Sequence, residues 1–494
     1  MRFSDWTPAN PEPAQIVDLR PEGVLLGLAR YYEGTRPAVV HEALGQAYSL
    51  GAQTAVIEFR YLDPDYRSEH SRFYSTTFRR YPSVAHRLHF FSSPPPDEWR
   101  DPERSLDFTS LDASYLGFVV MRPLPGARVG RVALAAHDDL VKDVTCITRE
   151  HVNVFGAPMS IRAAPFMAQD AQLGVCAHMA LWVVAQHHHL AYGRARCTAA
   201  EVAELIPTDL GLGRPAPSSG LTVEQLAAGC RALGLPALVY KCKETTDLPA
   251  GEKIPGVACR YLNSGMPVIV AAGGHHAFTL VGYRRVDAGT KDERIHFIRQ
   301  DDEIGPYQVV EDFAHDLHGK WEWLIVPLPS KVFVPGEIAE SLGSEQILET
   351  ASHSPHPAAQ DLVAETADPT NRAVSFRSTV VRSNQFKASL VERGFVPEAA
   401  ALYRRLPLPR WIWVVEAIRK DEREQRAYAV VAEAVIDATD HSRDMHVLAW
   451  RVPGALWTWR PDEDEVGDRD LPDQPLVDSV ARYTADERLL AQPT

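Results

Sequence analysis

The sequence lacks the features that would place the protein in a membrane or among disulfide-stapled proteins. No apolar run approaches the roughly 18 residues that a membrane-spanning helix needs, and the first residues are polar rather than signal-like. The 6 cysteines are scattered without framework spacing, which favours a reducing, cytoplasmic location. Positively charged residues are too few to balance the acidic ones: 51 Lys and Arg stand against 65 Asp and Glu, which gives a formal net charge of −14. This deficit disfavours a nucleic-acid partner or a protein that binds anionic membranes.

What remains is the composition of an ordinary globular protein. Of 494 residues, 45% are hydrophobic and 23% are charged, and a chain of this length is expected to form about three domains. Over 336–373 the composition shifts to Ser, Glu, Ala, His and Pro, which predicts a linker with room for a short helix around 345–352. We therefore expect an N-terminal mixed α/β domain over 1–150, a middle domain over 151–335 and a C-terminal α+β domain over 374–494.

A cysteine stands at the start of an apolar helical segment in the middle domain. The run from Ala177 to Ala185 is almost wholly apolar and consists of good helix formers, so Cys176 is expected in the first turn of a buried helix. The unpaired N–H groups and the positive dipole end of a helix N-terminus favour the thiolate, which is the attacking form of cysteine. Cys176 is therefore a candidate nucleophile.

A histidine stands at the start of a predicted strand, 100 residues after this cysteine. The segment from His276 to Tyr283 is rich in β-branched and aromatic residues, follows a Gly-Gly turn, and is predicted to end at Gly282. A helix-borne cysteine that faces a strand-borne histidine is the pairing that nucleophilic catalysis requires. His275 is the neighbouring alternative, and we expect it in the loop.

Four local features together suggest a family. They are Cys176 opening its helix, the runs Leu221-Thr-Val-Glu-Gln-Leu226 and Arg231-Ala-Leu-Gly-Leu235, the run Gly265-Met-Pro-Val-Ile-Val270, and His276-Ala-Phe-Thr-Leu-Val-Gly-Tyr283. Over about residues 160–325 the chain resembles the papain-like cysteine peptidases, nearest the bacterial branch of double-glycine leader peptidases. The Cys-Gly-Ser-Cys-Trp signature of papain itself is absent.

The resemblance implies an α+β fold class and two further site residues. In this fold the helix that bears Cys packs on an antiparallel sheet that bears His and Asp. Asp301, after the predicted strand 295–300, is similar to the family residue that orients the imidazole, and Asp302 stays open because neighbouring strand residues face opposite sides. The family also places a glutamine before the cysteine to stabilise the oxyanion. Gln169 fits that spacing better than Gln172.

Two other patterns in the sequence resemble binding sites, but we favour a structural interpretation of each. His187, His188 and His189 are consecutive, and consecutive helical residues point about 100° apart, so they cannot converge on one metal ion. We interpret the triplet as the polar end of the helix and expect neither a metal nor another cofactor. Aromatic and basic residues interleave between Arg60 and Phe91, a pattern found in single-strand binders but more often in an amphipathic packing face.

The expected function is that of a cysteine-type peptidase acting on a peptide or isopeptide bond. The resemblance assigns Cys176, His276, Asp301 and Gln169 to its site, with a protein or peptide as substrate and a regulatory protein partner at the flanking domains. Two alternatives stay open. One is a transglutaminase- or acyltransferase-like enzyme with the same triad, and the other is a papain-like binding module that has lost its activity.

Overall fold

The computed structural model describes most of the chain: residues 14–95, 108–170, 172, 174–206, 220–242, 254–286, 294–314, 316–367, 374–420, 428–441, 447–460, 465–470 and 476–477. Over these residues the protein is mixed α+β, with its sheets built from antiparallel strands. This agrees with the expected α+β class. No helix within the described ranges is long and apolar enough to cross a membrane.

The N-terminal part is a six-stranded antiparallel sheet covered on both faces. Its helices and strands, in chain order, are β1 (Ala14–Asp18), α1 (Val24–Tyr32), α2 (Pro37–Ser49), β2 (Thr54–Tyr61), α3 (Pro64–Arg72), β3 (Ala85–Phe91), α4 (Phe108–Ser114), β4 (Tyr115–Met121), β5 (Val129–Leu134), β6 (Thr148–Val154), β7 (Ala157–Ala163) and β8 (Phe166–Met167). The sheet order is β1-β2-β3-β4-β5-β8, and β6 and β7 form a separate hairpin. Successive residues of a strand point to opposite faces, so Ile57 packs with α1 and α2 while Val56 packs towards the hairpin.

The aromatic residues of the segment from Arg60 to Phe91 contribute to this second core. Tyr66, Tyr74 and Phe91 are buried there with the hairpin residues, whereas Phe78 is fully exposed. Most of the interleaved pattern therefore marks a packing face.

The middle part is a second six-stranded antiparallel sheet that carries the candidate site. Its helices and strands are α5 (Cys176–Tyr192), α6 (Ala199–Leu205), α7 (Val223–Ala232), β9 (Ala237–Lys241), α8 (Ile254–Asn263), β10 (Val268–Ala272), β11 (His276–Val286), β12 (Arg294–Asp301), β13 (Gly305–Val310) and β14 (Trp321–Pro327). The order is β13-β12-β11-β10-β14-β9. Helix α5 packs on one face, where Trp182 shares a core with Ile269 and Ala277. The other face contributes Val270 and Phe278 to a separate core.

Strand β11 continues beyond Gly282, where the sequence predicted its end. The backbone of Asp143 and Val144 crosses the strand at this point, and a Cβ on Gly282 would lie 2.2 Å from the carbonyl oxygen of Asp143. The glycine therefore permits a close backbone approach within a strand rather than ending the strand.

The C-terminal part is a third antiparallel sheet with helices on both sides. Its helices and strands are α9 (Gly336–His353), α10 (Pro357–Ala367), β15 (Val374–Arg382), α11 (Ser383–Ser389), α12 (Pro397–Arg405), β16 (Trp411–Lys420), β17 (Tyr428–Asp437), β18 (Val447–Val452), β19 (Ala455–Arg460), β20 (Glu465–Asp470) and β21 (Leu476–Val477). The order is β15-β16-β17-β18-β19-β20, and β21 pairs with β17.

The structure differs from the linker predicted over 336–373, because α9 and α10 occupy 336–353 and 357–367. Ala339, Ile347 and Ala351 of α9 are fully buried in the core that the second and third sheets share. Gly343 allows the close approach, since a Cβ there would lie 2.7 Å from the Val415 side chain. Tertiary burial of small residues thus selects a helix in a segment whose polar composition resembles a linker.

Candidate active site

Helix α5 begins at Cys176 because hydrogen bonds fix the turn before it. Asp170 Oδ1 accepts the backbone N–H groups of Gln172 at 3.1 Å and of Gly174 at 2.7 Å. The hydroxyl of Tyr74 donates to Asp170 Oδ2 at 2.6 Å and so ties this turn to the N-terminal part. A buried aspartate that accepts several donors makes a rigid entry to the helix. Cys176 therefore stands on a well-supported helix start, as the sequence predicts.

The sulfur of Cys176 lies against the beginning of strand β11. Its Sγ is 4.0 Å from the carbonyl oxygen of His275, and it receives the backbone N–H groups of Ala277 and Ala177. The side chain is half-buried. These contacts place the sulfur beside the backbone of His275 and Ala277, the two residues that flank His276.

The imidazole of His276 is held by the carboxylate of Asp301. His276 Nε2 donates to Asp301 Oδ1 at 3.1 Å, and both side chains are buried. Strands β11 and β12 are antiparallel neighbours, so the end of β12 lies beside the start of β11. With Nε2 donating to a carboxylate, Nδ1 is the ring nitrogen that can accept a proton. Nδ1 has no partner among the described residues and is not sealed from solvent.

Asp301 has two further side-chain partners that the sequence did not indicate, and its Oδ1 also accepts the backbone N–H of Glu303 at 3.1 Å. The Nε2 of His318 donates to Asp301 Oδ2 at 2.8 Å, and Arg299 Nε lies 3.2 Å from the same oxygen. The rings of His318 and His276 lie with centroids 3.8 Å apart. Burial alone would raise the pKa of Asp301, but the two imidazole hydrogen bonds and the charge of Arg299 outweigh it and hold the pKa below its usual range.

The expected link between cysteine and histidine is not made in this arrangement. No hydrogen bond among the described residues joins Cys176 to His276. Burial raises the pKa of the Cys176 thiol to about 12, and the nearby carboxyl of Asp302 adds to it, while the two backbone N–H groups lower it only in part. This differs from the expected thiolate, because desolvation of the sulfur and the adjacent acidic groups outweigh the helix dipole.

The other residues that the sequence suggested for the site are Asp302, Gln169 and Gln172. Asp301, not Asp302, contacts His276. Asp302 is buried with its Oδ2 unpaired among the described residues, and burial followed by the neighbouring carboxyls raises its pKa well above the usual value. The Gln169 side chain donates to Glu303 Oε1 at 2.8 Å, so its amide is engaged with the turn after β12. The Gln172 side chain is exposed.

The histidine triplet does not form the polar end of α5 that the sequence predicted. His187 and His188 are buried; the ring nitrogens of His188 have no hydrogen-bond partner in the described part of the chain, whereas backbone groups of Gly265 and Cys146 lie close to the His187 ring. Burial lowers the pKa of His187 to about 4, so this ring is neutral at neutral pH. His188 packs near Tyr192, with ring centroids 5.2 Å apart. The C-terminal half of α5 is therefore covered by other parts of the chain.

The donor atoms of His276, Asp301 and His318 lie within 4.8 Å of one another, which is close enough to consider a metal ion. Each imidazole, however, points its Nε2 at a separate oxygen of the carboxylate. Arg299 already supplies a positive charge to the same carboxylate. We therefore interpret the group as a hydrogen-bonded cluster.

Sequence reasoning missed His318 and the ion pair behind it. Arg299 Nη1 donates to both oxygens of Asp316, at 2.9 and 2.8 Å, and Asp316 Oδ1 also accepts the backbone N–H of His318 at 2.9 Å. Asp316 thus shapes the turn that carries His318. The only local signal was the polar pair Asp316 and His318 just before a strand, which is too common to indicate a site.

Comparison with known proteins gives no family assignment, since no family model, no curated protein and no solved structure matches the chain. A function for the chain is therefore inferred from the geometry of the site itself.

Proposed function

We propose that the protein is a cysteine-type peptidase that hydrolyses a peptide or isopeptide bond. Cys176 is the nucleophile, His276 the general base, and Asp301 the residue that orients the imidazole. The observation that supports this most is the 3.1 Å contact of His276 with Asp301, beside the same strand backbone that contacts the Cys176 sulfur. Nucleophile, base and orienting carboxylate are the groups that acyl transfer by a cysteine requires.

The reaction begins with a rotation of the Cys176 side chain about χ1, which turns Sγ from the strand backbone towards Nδ1 of His276. Catalytic contacts are often looser before substrate binds, so the absence of this contact in the resting site is compatible with the role. His276 takes the thiol proton as sulfur bonds to the carbonyl carbon. It then gives this proton to the amine as the C–N bond breaks, which leaves a thioester on Cys176.

Water completes the cycle. His276 Nδ1 takes a proton from water as the oxygen attacks the thioester, the C–S bond breaks, and the sulfur recovers the proton as the acid leaves. Because the thiol has a raised pKa, proton removal accompanies attack instead of preceding it.

The oxyanion formed at the carbonyl needs hydrogen-bond donors. The backbone N–H of Cys176 is the first, because a residue at the start of a helix has no intrahelical acceptor. Gln169 is the proposed second donor, and substrate must draw its amide away from Glu303, which it contacts at 2.8 Å in the resting site. Gln172 is the alternative donor.

The proposed surroundings are a reducing, cytoplasmic environment and a protein or peptide substrate. All six cysteines lie in the described part of the chain and none forms a disulfide, which is the state expected where thiols stay reduced. The first and third sheets flank the site-bearing sheet and offer surfaces for a regulatory protein partner.

A second candidate is a papain-like binding module without activity. Two observations favour it: no hydrogen bond within the described residues joins Cys176 to His276, and burial raises the pKa of the Cys176 thiol. In this case the cleft would bind a polypeptide without cleaving it.

Incubation with a complex peptide library, followed by mass spectrometry of new termini, tests the proposal. The wild type should generate new termini and Cys176→Ala should generate none. Cys197→Ala is a matched control, because Cys197 is also half-buried and burial and nearby carboxylates also raise its pKa, while the charged groups with the largest effect on it, Glu201, Asp65 and Arg72, include no histidine. Cleavage by Cys176→Ala at the wild-type rate would contradict the proposal. Products joined to an added amine would indicate acyl transfer, and binding without products would favour the inactive module.

A further inference from the structure

One carboxylate holds two imidazole rings at the candidate site. His276 donates to Oδ1 of Asp301 at 3.1 Å, and His318 donates to Oδ2 at 2.8 Å. His318 lies on the turn just before β14 and is fixed there by Asp316, which accepts its backbone N–H. Gly273 permits this arrangement, since a Cβ there would lie 2.3 Å from the carbonyl oxygen of His318. The hydrogen bond to Asp316 and the close approach of Gly273 therefore both fix the position of His318.

The two rings are close enough to affect each other's charge. Their centroids are 3.8 Å apart and their planes are tilted by 31°. Both side chains are largely removed from solvent, with 2% of His276 and 10% of His318 exposed. Charges at this distance and burial interact strongly, so the two rings are electrostatically coupled to each other and to the carboxylate between them.

Charged and acidic groups surround the pair on several elements. Arg299 on β12 is shared between Asp301 and Asp316, which leaves one more carboxylate than guanidinium in the buried cluster. The turn after β12 adds two acidic groups, Asp302 with a raised pKa and Glu303, and α5 presents the neutral Cys176 thiol.

We propose that His318 is a positioning residue for the reaction: it holds the Asp301 carboxylate in place through Oδ2 and thereby limits how strongly that carboxylate acts on His276. This rests on the proposed function in so far as His276 is the base. Because His318 occupies Oδ2, His276 shares the negative charge of Asp301 with a second hydrogen-bond donor.

Variants of His318 separate these effects. His318→Ala removes the donor to Oδ2, so Asp301 acts on His276 alone and should stabilise its imidazolium form more strongly. We expect its titration midpoint to rise by about one pH unit. His318→Gln restores a neutral amide donor to Asp301 without a second proton site, and its midpoint should lie between those of the wild type and His318→Ala.

The measurement is the titration of His276 by NMR with histidine ring labelling, assigned by comparison with His276→Gln. The wild type should show coupled titration of two rings, and the variants one simple curve at higher pH. Unchanged midpoints in both variants, with only lower thermal stability, would reduce His318 to a structural residue and overturn the inference. Stoichiometric zinc in the purified protein, whose removal abolishes the coupled titration, would also overturn it.

This experiment does not depend on peptidase activity. If the midpoints shift as expected but no Cys176-dependent cleavage is found, the inference stands and the proposed function fails. If cleavage depends on Cys176 and has the same pH profile in wild type and His318→Ala, the function stands and the inference fails.

Discussion

Replacing Asp301 by asparagine should weaken the fold and disable the site at the same time. The carboxylate accepts one imidazole on each oxygen, from His276 at 3.1 Å and from His318 at 2.8 Å. An amide offers one oxygen, so one of these buried N–H donors loses its acceptor. Such a hydrogen bond to a charged group contributes about 1.5–3 kcal/mol, and an unpaired buried donor costs about 1–3 kcal/mol. We expect the free energy of unfolding at pH 7 to fall by about 2–4 kcal/mol.

The effect of this substitution should depend on pH in a defined direction. Burial alone would raise the pKa of Asp301, but the imidazole hydrogen bonds and Arg299 hold it below the unfolded value. A group with a depressed pKa stabilises the fold above its unfolded pKa, near 4, and this contribution is lost as the pH falls towards the folded pKa. The difference in stability between wild type and Asp301→Asn should therefore be largest at neutral pH and shrink below about pH 4.

Urea unfolding of wild type and Asp301→Asn at several pH values, followed by tryptophan fluorescence, measures this difference. Any hydrolytic activity should fall by about 10²–10⁴-fold, since loss of an orienting carboxylate costs this much in comparable triads. Equal stability at pH 7, or a difference that stays constant into acid, would refute the assignment of Asp301 as the charged acceptor of both rings.

Three further substitutions test other parts of the structure. Cys176→Ala should leave the circular dichroism spectrum and the unfolding midpoint close to those of the wild type, because its thiol makes only weak contacts, while all cleavage is lost. Asp65→Ala should lower the free energy of unfolding by about 3 kcal/mol in chemical denaturation, because two buried N–H groups lose their acceptor; a loss under about 1 kcal/mol would contradict this. Gly282→Ala should cost about 1–3 kcal/mol in the same assay, since its Cβ would lie 2.2 Å from the carbonyl oxygen of Asp143. Gly45→Ala is its matched control, because nothing lies near a Cβ there and the helix should gain about 0.5–1 kcal/mol.

The parts of the site that follow from local sequence pattern were predictable. The helix begins at Cys176, a strand begins at His276 and the next strand ends at Asp301, as the sequence indicates. Because β11 and β12 are antiparallel neighbours, the end of β12 lies beside the start of β11. Choosing between Asp301 and Asp302 needed the structure, because a register change of one residue exchanges the two sides of a strand.

The parts that depend on the assembled surroundings were not predictable. His318 reaches Asp301 from a turn, and only the packing of that turn against Gly273 places it there. The raised pKa of Cys176 depends on burial and on Asp302, and neither effect is visible in a helix pattern. The helix α9 likewise forms where composition suggested a linker, because its small residues fit against the third sheet.

The central claim is that His276 serves Cys176 as its base, and alkylation of Cys176 by iodoacetamide tests it most directly. The rate at this residue, followed by mass spectrometry between about pH 5 and 9 in wild type and His276→Ala, needs no known substrate. Half-buried Cys197 is the internal reference. The account predicts that at pH 7 Cys176 reacts at least about tenfold faster in the wild type than in His276→Ala, while Cys197 is unchanged. Equal rates at Cys176 in the two proteins across the whole pH range would contradict it.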